Sequence, residues 1–193
     1  MGESRRITFG LAVFAFAVTT ACGDGTSASG DARSALSTPP PAATVVSNAL
    51  QTAAAGNKIV LIEFGASWCS WCRRFDAFVH SPEVSSIVAA NYVVVNLVVQ
   101  ERNDKKALEH PGGQDVMDKW GGAKAGLPFY VFLDANSQKI GDSNVMPDGG
   151  NLGFPGNPKE AELFLGLLDK TAPRLAAADR AQIVSYLQAN IKS

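Results

Sequence analysis

A nearly continuous apolar run, Ile59 to Phe64, leads through the turn Gly65 to Trp68 into a segment with two cysteines three residues apart, Cys69 and Cys72. The run is rich in β-branched residues and lacks strict alternation, which is the pattern of a central strand covered on both faces. Such a strand needs helices on either side of its sheet, so a chain built around it is committed to a layered α/β architecture. The hydrophobic fraction, 46% of 193 residues, is enough for a core of that kind and for one domain with extensions.

The flanking sequence agrees. Val45, Val46, Ala49 and Leu50 fall at helical spacing before the stop signal Gly56-Asn57, predicting a helix over 44–55. Cys69 to Val79 and Pro82 to Ala90 read as helices, and Tyr92 to Val99 as a second buried strand. Gln100 to Pro111 is charged and irregular, Asp115 to Trp120 a short helix, and Gly121 to Gly126 a flexible approach to Pro128. Phe129 to Leu133 and Lys139 to Asp142 flank Asp134-Ala135-Asn136-Ser137, a hairpin signal. Pro158 to Lys170 and Ala176 to Ile191 close the chain as amphipathic helices, and Trp120, Phe132 and Phe164 read as core. Strands joined through helices predict parallel pairing, with the late hairpin adding an antiparallel edge. The fold class is an α/β sandwich with a mixed sheet.

The first residues read as an address. Arg5 and Arg6, an apolar stretch from Ile7 to Val18 and the small residues Thr19 to Ala21 are the three parts of a signal peptide over 1–21. No apolar run reaches the roughly 20 residues of a membrane span. Thr19-Thr20-Ala21-Cys22 resembles the lipobox of bacterial lipoproteins, which implies acylation at Cys22; soluble secretion is the alternative. Residues 22–43 are rich in Gly, Ser, Thr, Ala and Pro and read as a disordered tether. The domain then spans 44–193. The charge balance, 17 basic against 18 acidic residues, gives no basic excess for a phosphate backbone, so nucleic acid is not an expected partner.

The cysteine pair carries the chemistry. A spacing of three puts both sulfurs within reach of one disulfide, and the start of a helix stabilises a thiolate at Cys69 through free N–H groups and the helix dipole. At such places a thiol with an ordinary pKa of about 8.5 falls toward 7. Arg73 and Arg74 add positive charge. The alternatives are an inert disulfide, half a zinc site or copper handling. Zinc wants four ligands, and His80 and His110, read as surface residues, are the remaining strong donors, neither in a paired motif. Copper would need a histidine near the thiols, for which His80 is the sequence-local candidate. Glu63 lies on the buried strand, where desolvation should raise its pKa and let it shuttle the Cys72 proton, unless it reaches solvent from the strand end. Trp68 reads as a lid over the thiols and Trp71 as an exposed apolar contact for substrate.

Glu63-Phe-Gly-Ala-Ser-Trp68-Cys69-Ser-Trp-Cys72-Arg-Arg-Phe75 resembles the active-site segment of the thioredoxin superfamily, and Gly126-Leu127-Pro128-Phe129 its cis-proline loop. The resemblance extends over about 44–170 and is closest in style to exported, membrane-tethered bacterial members. It implies a three-layer α/β/α sandwich with an added C-terminal helix, with Cys69 as nucleophile, Cys72 as resolving thiol, and a cis Leu127–Pro128 bond beside the thiols where substrate backbone docks. It further implies thiol–disulfide exchange on protein disulfides in the periplasm or at the outer membrane, fed by an envelope electron donor, with no dissociable cofactor and no metal; the alternative is a binding module of this fold, a chaperone or copper metallochaperone that uses the groove around Trp71 and Pro128 without redox turnover. The chain departs from the family in its Ser70-Trp71 dipeptide, in a longer stretch from Val99 to Gly126, in a long loop from Ser143 to Asn157 and in the terminal helix. Ser70-Trp71 brings neither histidine nor positive charge to the thiolate, which favours the disulfide form and predicts a reductase or isomerase.

Overall fold

The computed structural model describes residues 38–172 and 174–191. The expected signal peptide, Cys22 and most of the expected tether lie outside the described residues. The helix expected from residue 44 begins two residues earlier: α1 runs Ala42–Gly56, Ala42 is fully buried, and its N–H donates to the Pro111 carbonyl at 2.9 Å. Asn57, in the left-handed region at φ 49°, ends it.

The remaining elements follow in the expected order. They are β1 (Ile59–Gly65), α2 (Ser70–His80), α3 (Ser85–Asn91), β2 (Tyr92–Val98), a 3-10 helix (Asn103–Leu108), α4 (Gly113–Lys119), β3 (Phe129–Leu133), β4 (Lys139–Asp142), α5 (Pro158–Thr171) and α6 (Ala177–Asn190). One four-stranded sheet runs β2-β1-β3-β4. β1 pairs in parallel with β2, from Ile59 opposite Tyr92 to Gly65 opposite Val98.

The expectation that strands joined through helices pair in parallel fails at β3, which runs antiparallel to β1 with Phe64 opposite Phe129 and Val60 opposite Leu133. The connection stays at the end of the sheet where β2 finished: His110 is still hydrogen-bonded to both the N–H and the carbonyl of Val98, and α4 packs with α1 on the sheet face before the chain re-enters. β3 therefore starts beside the end of β1. β4 returns antiparallel to β3.

Alternation along the strands makes two cores. Val60, Ile62 and Phe64 join Phe129, Val131 and Leu133 against Ala49 and Ala53 of α1 and Met117 of α4. Leu61, Tyr130 and Phe132 face the other way, against Phe75, Phe78 and Val79 of α2 and against α3, α5 and α6. This is a three-layer α/β/α sandwich. Phe132 and Phe164 are core as expected, whereas Trp120 is only partly buried. The added C-terminal helix buries Ile183 and Leu187 on the second core and is tied to α5 by the two-pronged contact of Arg180 with Asp169, at 2.8 and 2.9 Å. No helix among the described residues is long and apolar enough to cross a membrane.

Candidate active site

β1 ends at Gly65, and the turn from Ala66 to Trp68 delivers Cys69 as the N-cap of α2. The two cysteines form a disulfide, with an S–S distance of 2.11 Å and Cα atoms 5.3 Å apart. Cys69 Sγ accepts the backbone N–H of Cys72 at 3.0 Å, so a free donor of the first helical turn is aimed at this sulfur. No acidic residue stands in that turn to offset the dipole. Arg73 reaches back to the carbonyls of Ser67 and Cys69, at 3.1 and 3.4 Å. Both cysteines are buried, Cys69 at 3% and Cys72 at 6% exposure, so helix position rather than accessibility distinguishes them.

The cis-proline loop completes this wall. The Leu127–Pro128 bond is cis, Leu127 packs against the cluster of Ala66, Cys69 and Cys72, and Pro128 is buried. Asn151 Nδ2 donates to the carbonyls of Gly126 and Pro128, at 2.7 and 3.0 Å, so the long loop after β4 holds the proline loop from outside. The same loop passes Trp71: a β-carbon on Gly156 would lie 2.8 Å from the indole Cη2, so any larger residue there would push the indole aside. Trp71 is 41% exposed, with the Arg74 guanidinium 4.7 Å from its ring centroid.

Trp68, 40% exposed, is held on two sides. Its indole N–H donates to the Gln100 carbonyl at 2.8 Å, and the Arg102 guanidinium lies over its ring at 3.9 Å. Beside it, Glu101 accepts from Ser67 N at 2.6 Å and from Ser67 Oγ at 2.9 Å. In the sequence these residues belong to an irregular charged stretch, and nothing local announces the contact beyond the length of that stretch.

Glu63 does not reach solvent from the strand end: it is 2% exposed, on the α2 face of the sheet. Oε2 accepts from Asn96 Nδ2 at 2.7 Å, and Oε1 is without a hydrogen-bond partner among the described residues. A β-carbon on Gly65 would sit 3.4 Å from both Glu63 Oε1 and Cys72 Sγ, so the glycine keeps open the space between carboxyl and sulfur. Burial pushes the Glu63 carboxyl up from 4.5 to about 7, against the opposing pull of the Asn96 hydrogen bond.

The histidines stand apart from the thiols. His80 is exposed at the far end of α2, its Nδ1 3.1 Å from Asp76. His110 is not the surface residue expected: it is half-buried, and its Nδ1 accepts the Val98 N–H at 3.0 Å. Burial lowers its pKa. Among the described residues no group of three His, Cys, Asp or Glu side chains could hold a metal ion.

The raised Glu63 carboxyl sets a pH dependence. Between about pH 4.5 and 7 the folded chain keeps a proton there that the unfolded chain has lost, so stability falls as pH rises through that window. Below it the group costs nothing; above it the penalty approaches about 3 kcal/mol, at 1.36 kcal/mol per unit. Glu63→Gln keeps an acceptor for Asn96 and removes the charge. Urea unfolding of the disulfide form should show the variant matching the native chain at pH 4 and exceeding it by up to about 3 kcal/mol at pH 8. An equal difference at both pH values would place the ionised carboxylate in water.

A family model described as thioredoxin-like matches residues 42–135. No curated protein sequence matches the chain. Among solved structures, a disulphide isomerase from Xylella fastidiosa Temecula1 is 19% identical, with a TM-score of 0.46, over 77% of this chain and 90% of its own. A thioredoxin from Thermus thermophilus is 21% identical, with a TM-score of 0.43, over 70% and 90%. The oxidised C-terminal domain of DsbD from Neisseria meningitidis is 19% identical, with a TM-score of 0.42, over 67% and 98%. The matched segment, the strand order and the cysteines at the start of α2 give this domain a thioredoxin-like fold.

Proposed function

We propose that this chain is a thiol–disulfide oxidoreductase that reduces or isomerises protein disulfides outside the cytoplasm. The observation that carries the reading is the Cys69–Cys72 disulfide at the start of α2, with Leu127 packed on it and a buried carboxyl beneath it. In the reduced protein the Cys69 thiolate attacks one sulfur of a substrate disulfide. A mixed disulfide forms, and the other substrate sulfur leaves as a thiolate and takes a proton. Glu63, near half-ionised at neutral pH, accepts the Cys72 proton across the space left by Gly65. The Cys72 thiolate then attacks Cys69 Sγ and expels the second substrate thiolate. Two electrons pass to the substrate, leaving the disulfide described above, and a dithiol electron donor restores the thiols. Trp71 and the backbone at Leu127 flank the substrate.

Cys72→Ser is expected to accumulate mixed disulfides through Cys69, visible on non-reducing gels, and Cys69→Ser to accumulate none. Trapping by Cys69→Ser alone would exchange the two roles.

Direction follows from the groups around the sulfur. Ser70-Trp71 supplies no histidine, and an ionised Glu63 disfavours a neighbouring thiolate, so both stabilise the disulfide over the dithiol. Equilibration with glutathione should give a potential nearer the roughly −270 mV of thioredoxin than the roughly −120 mV of DsbA. A value near the latter would make the chain an oxidant.

Export and acylation at Cys22 belong to the same reading: several acyl chains hold firmly where one holds marginally, and the chain between Cys22 and the start of α1 at Ala42 would give the domain reach from a membrane. The native protein should then fractionate with membranes and carry lipid on an N-terminal Cys22. Soluble protein without that modification would leave secretion without an anchor.

A further inference from the structure

Three successive residues after β2 grip the turn that carries Cys69. Gln100 and Arg102 hold the Trp68 indole by its N–H and by its ring, and between them Glu101 takes both donors of Ser67. The grip is anchored in turn. Glu109 Oε1 accepts the Glu101 N–H at 2.6 Å, and His110 exchanges two hydrogen bonds with the backbone of Val98, each 3.0 Å. Lys105 Nζ, 3.2 Å from Ser67 Oγ, supplies the neighbouring positive charge. Glu101 is only 2% exposed. A carboxylate is strongly penalised at such a depth unless it is hydrogen-bonded, so Glu101 and Ser67 hold each other in place.

We propose that Glu101 is a positioning residue for the nucleophile. By fixing Ser67, two residues before Cys69, it sets the turn that aims Cys69 Sγ at the Cys72 N–H. This rests on the thiol–disulfide reading for its consequence in turnover, but thiol acidity and the dithiol–disulfide equilibrium can be read without any protein substrate. The two properties of the carboxylate act in opposite senses. Its hydrogen bonds hold the sulfur against the helix N–H groups and stabilise a thiolate, whereas its negative charge opposes one. Glu101→Gln keeps an acceptor for Ser67 N and an amide partner for Ser67 Oγ while removing the charge; Glu101→Ala removes everything.

The test uses the full reduced chain, with iodoacetamide alkylation followed across pH on the Cys69 peptide by mass spectrometry, and a glutathione equilibration alongside. For Glu101→Ala we expect alkylation at pH 7 to slow about fivefold or more and the equilibrium to move about tenfold toward the disulfide, roughly 30 mV more reducing. Glu101→Gln should alkylate no slower than the native chain. Glu101→Ala within twofold of native in both readouts, or Glu101→Gln as slow as Glu101→Ala, overturns the proposal. If Glu101→Ala fails to fold by circular dichroism, Ser67→Ala decides: it keeps the N–H contact and loses the hydroxyl, so about threefold slower alkylation supports the positioning role and an unchanged rate overturns it. Normal alkylation and equilibria together with no reduction of any protein disulfide would instead count against the function proposed above.

Discussion

The cysteines and the carboxyl beneath them take their places from β1, which is hydrogen-bonded along both edges and covered on both faces. Burying each of Val60, Leu61, Ile62 and Phe64 is worth about 1.5–3 kcal/mol, and a one-residue slip against β2 and β3 would turn all four to the wrong core. The same slip would turn Glu63 away from α2 and put Phe64 beneath the sulfurs. The register that satisfies the core is thus the register that puts a carboxyl under Cys72. At the end of the strand Gly65 spares the space a side chain would fill, and the helix start takes over with its free N–H groups.

Much of this was legible in the sequence because it is local. The apolar run, the stop at Gly56-Asn57 and the hairpin signal at Asp134 to Ser137 each announce an element through neighbouring residues, and Cys69 sits at the head of α2 for the same reason. Two features were not legible. The direction of β3 depends on where a connection of mixed helix and loop runs out, which the periodicity of α4 does not encode. The Glu101–Ser67 contact joins residues 34 apart through side-chain geometry that charge pattern alone reads as a solvated loop.

Trp68 shows how such a contact changes a reading. As a sequence feature it is an aromatic just before Cys69 and reads as a lid over the thiols. In the fold its N–H is bonded and its ring lies beneath a guanidinium, a pair worth roughly 0.5–1 kcal/mol at an exposed site. These contacts make it part of a wall built jointly by the turn and by the stretch after β2. His110 belongs to the same construction: its ring accepts a β2 amide, and its own N–H closes the loop back on Val98.

The outer strand of the hairpin has a consequence of another kind. β4 is four residues long, its pairing with β3 shifts between Phe132 and Leu133, and Lys139 and Asp142 at its two ends form an ion pair at 2.7 Å. At Gly141 a β-carbon would lie 2.9 Å from Leu167 of α5, so the strand is pressed beneath that helix. An open sheet margin is ordinarily a template on which unfolded chains stack and aggregate, and short, kinked, charged margins are how proteins blunt it. On this side the sheet offers a poor template for strands of other chains.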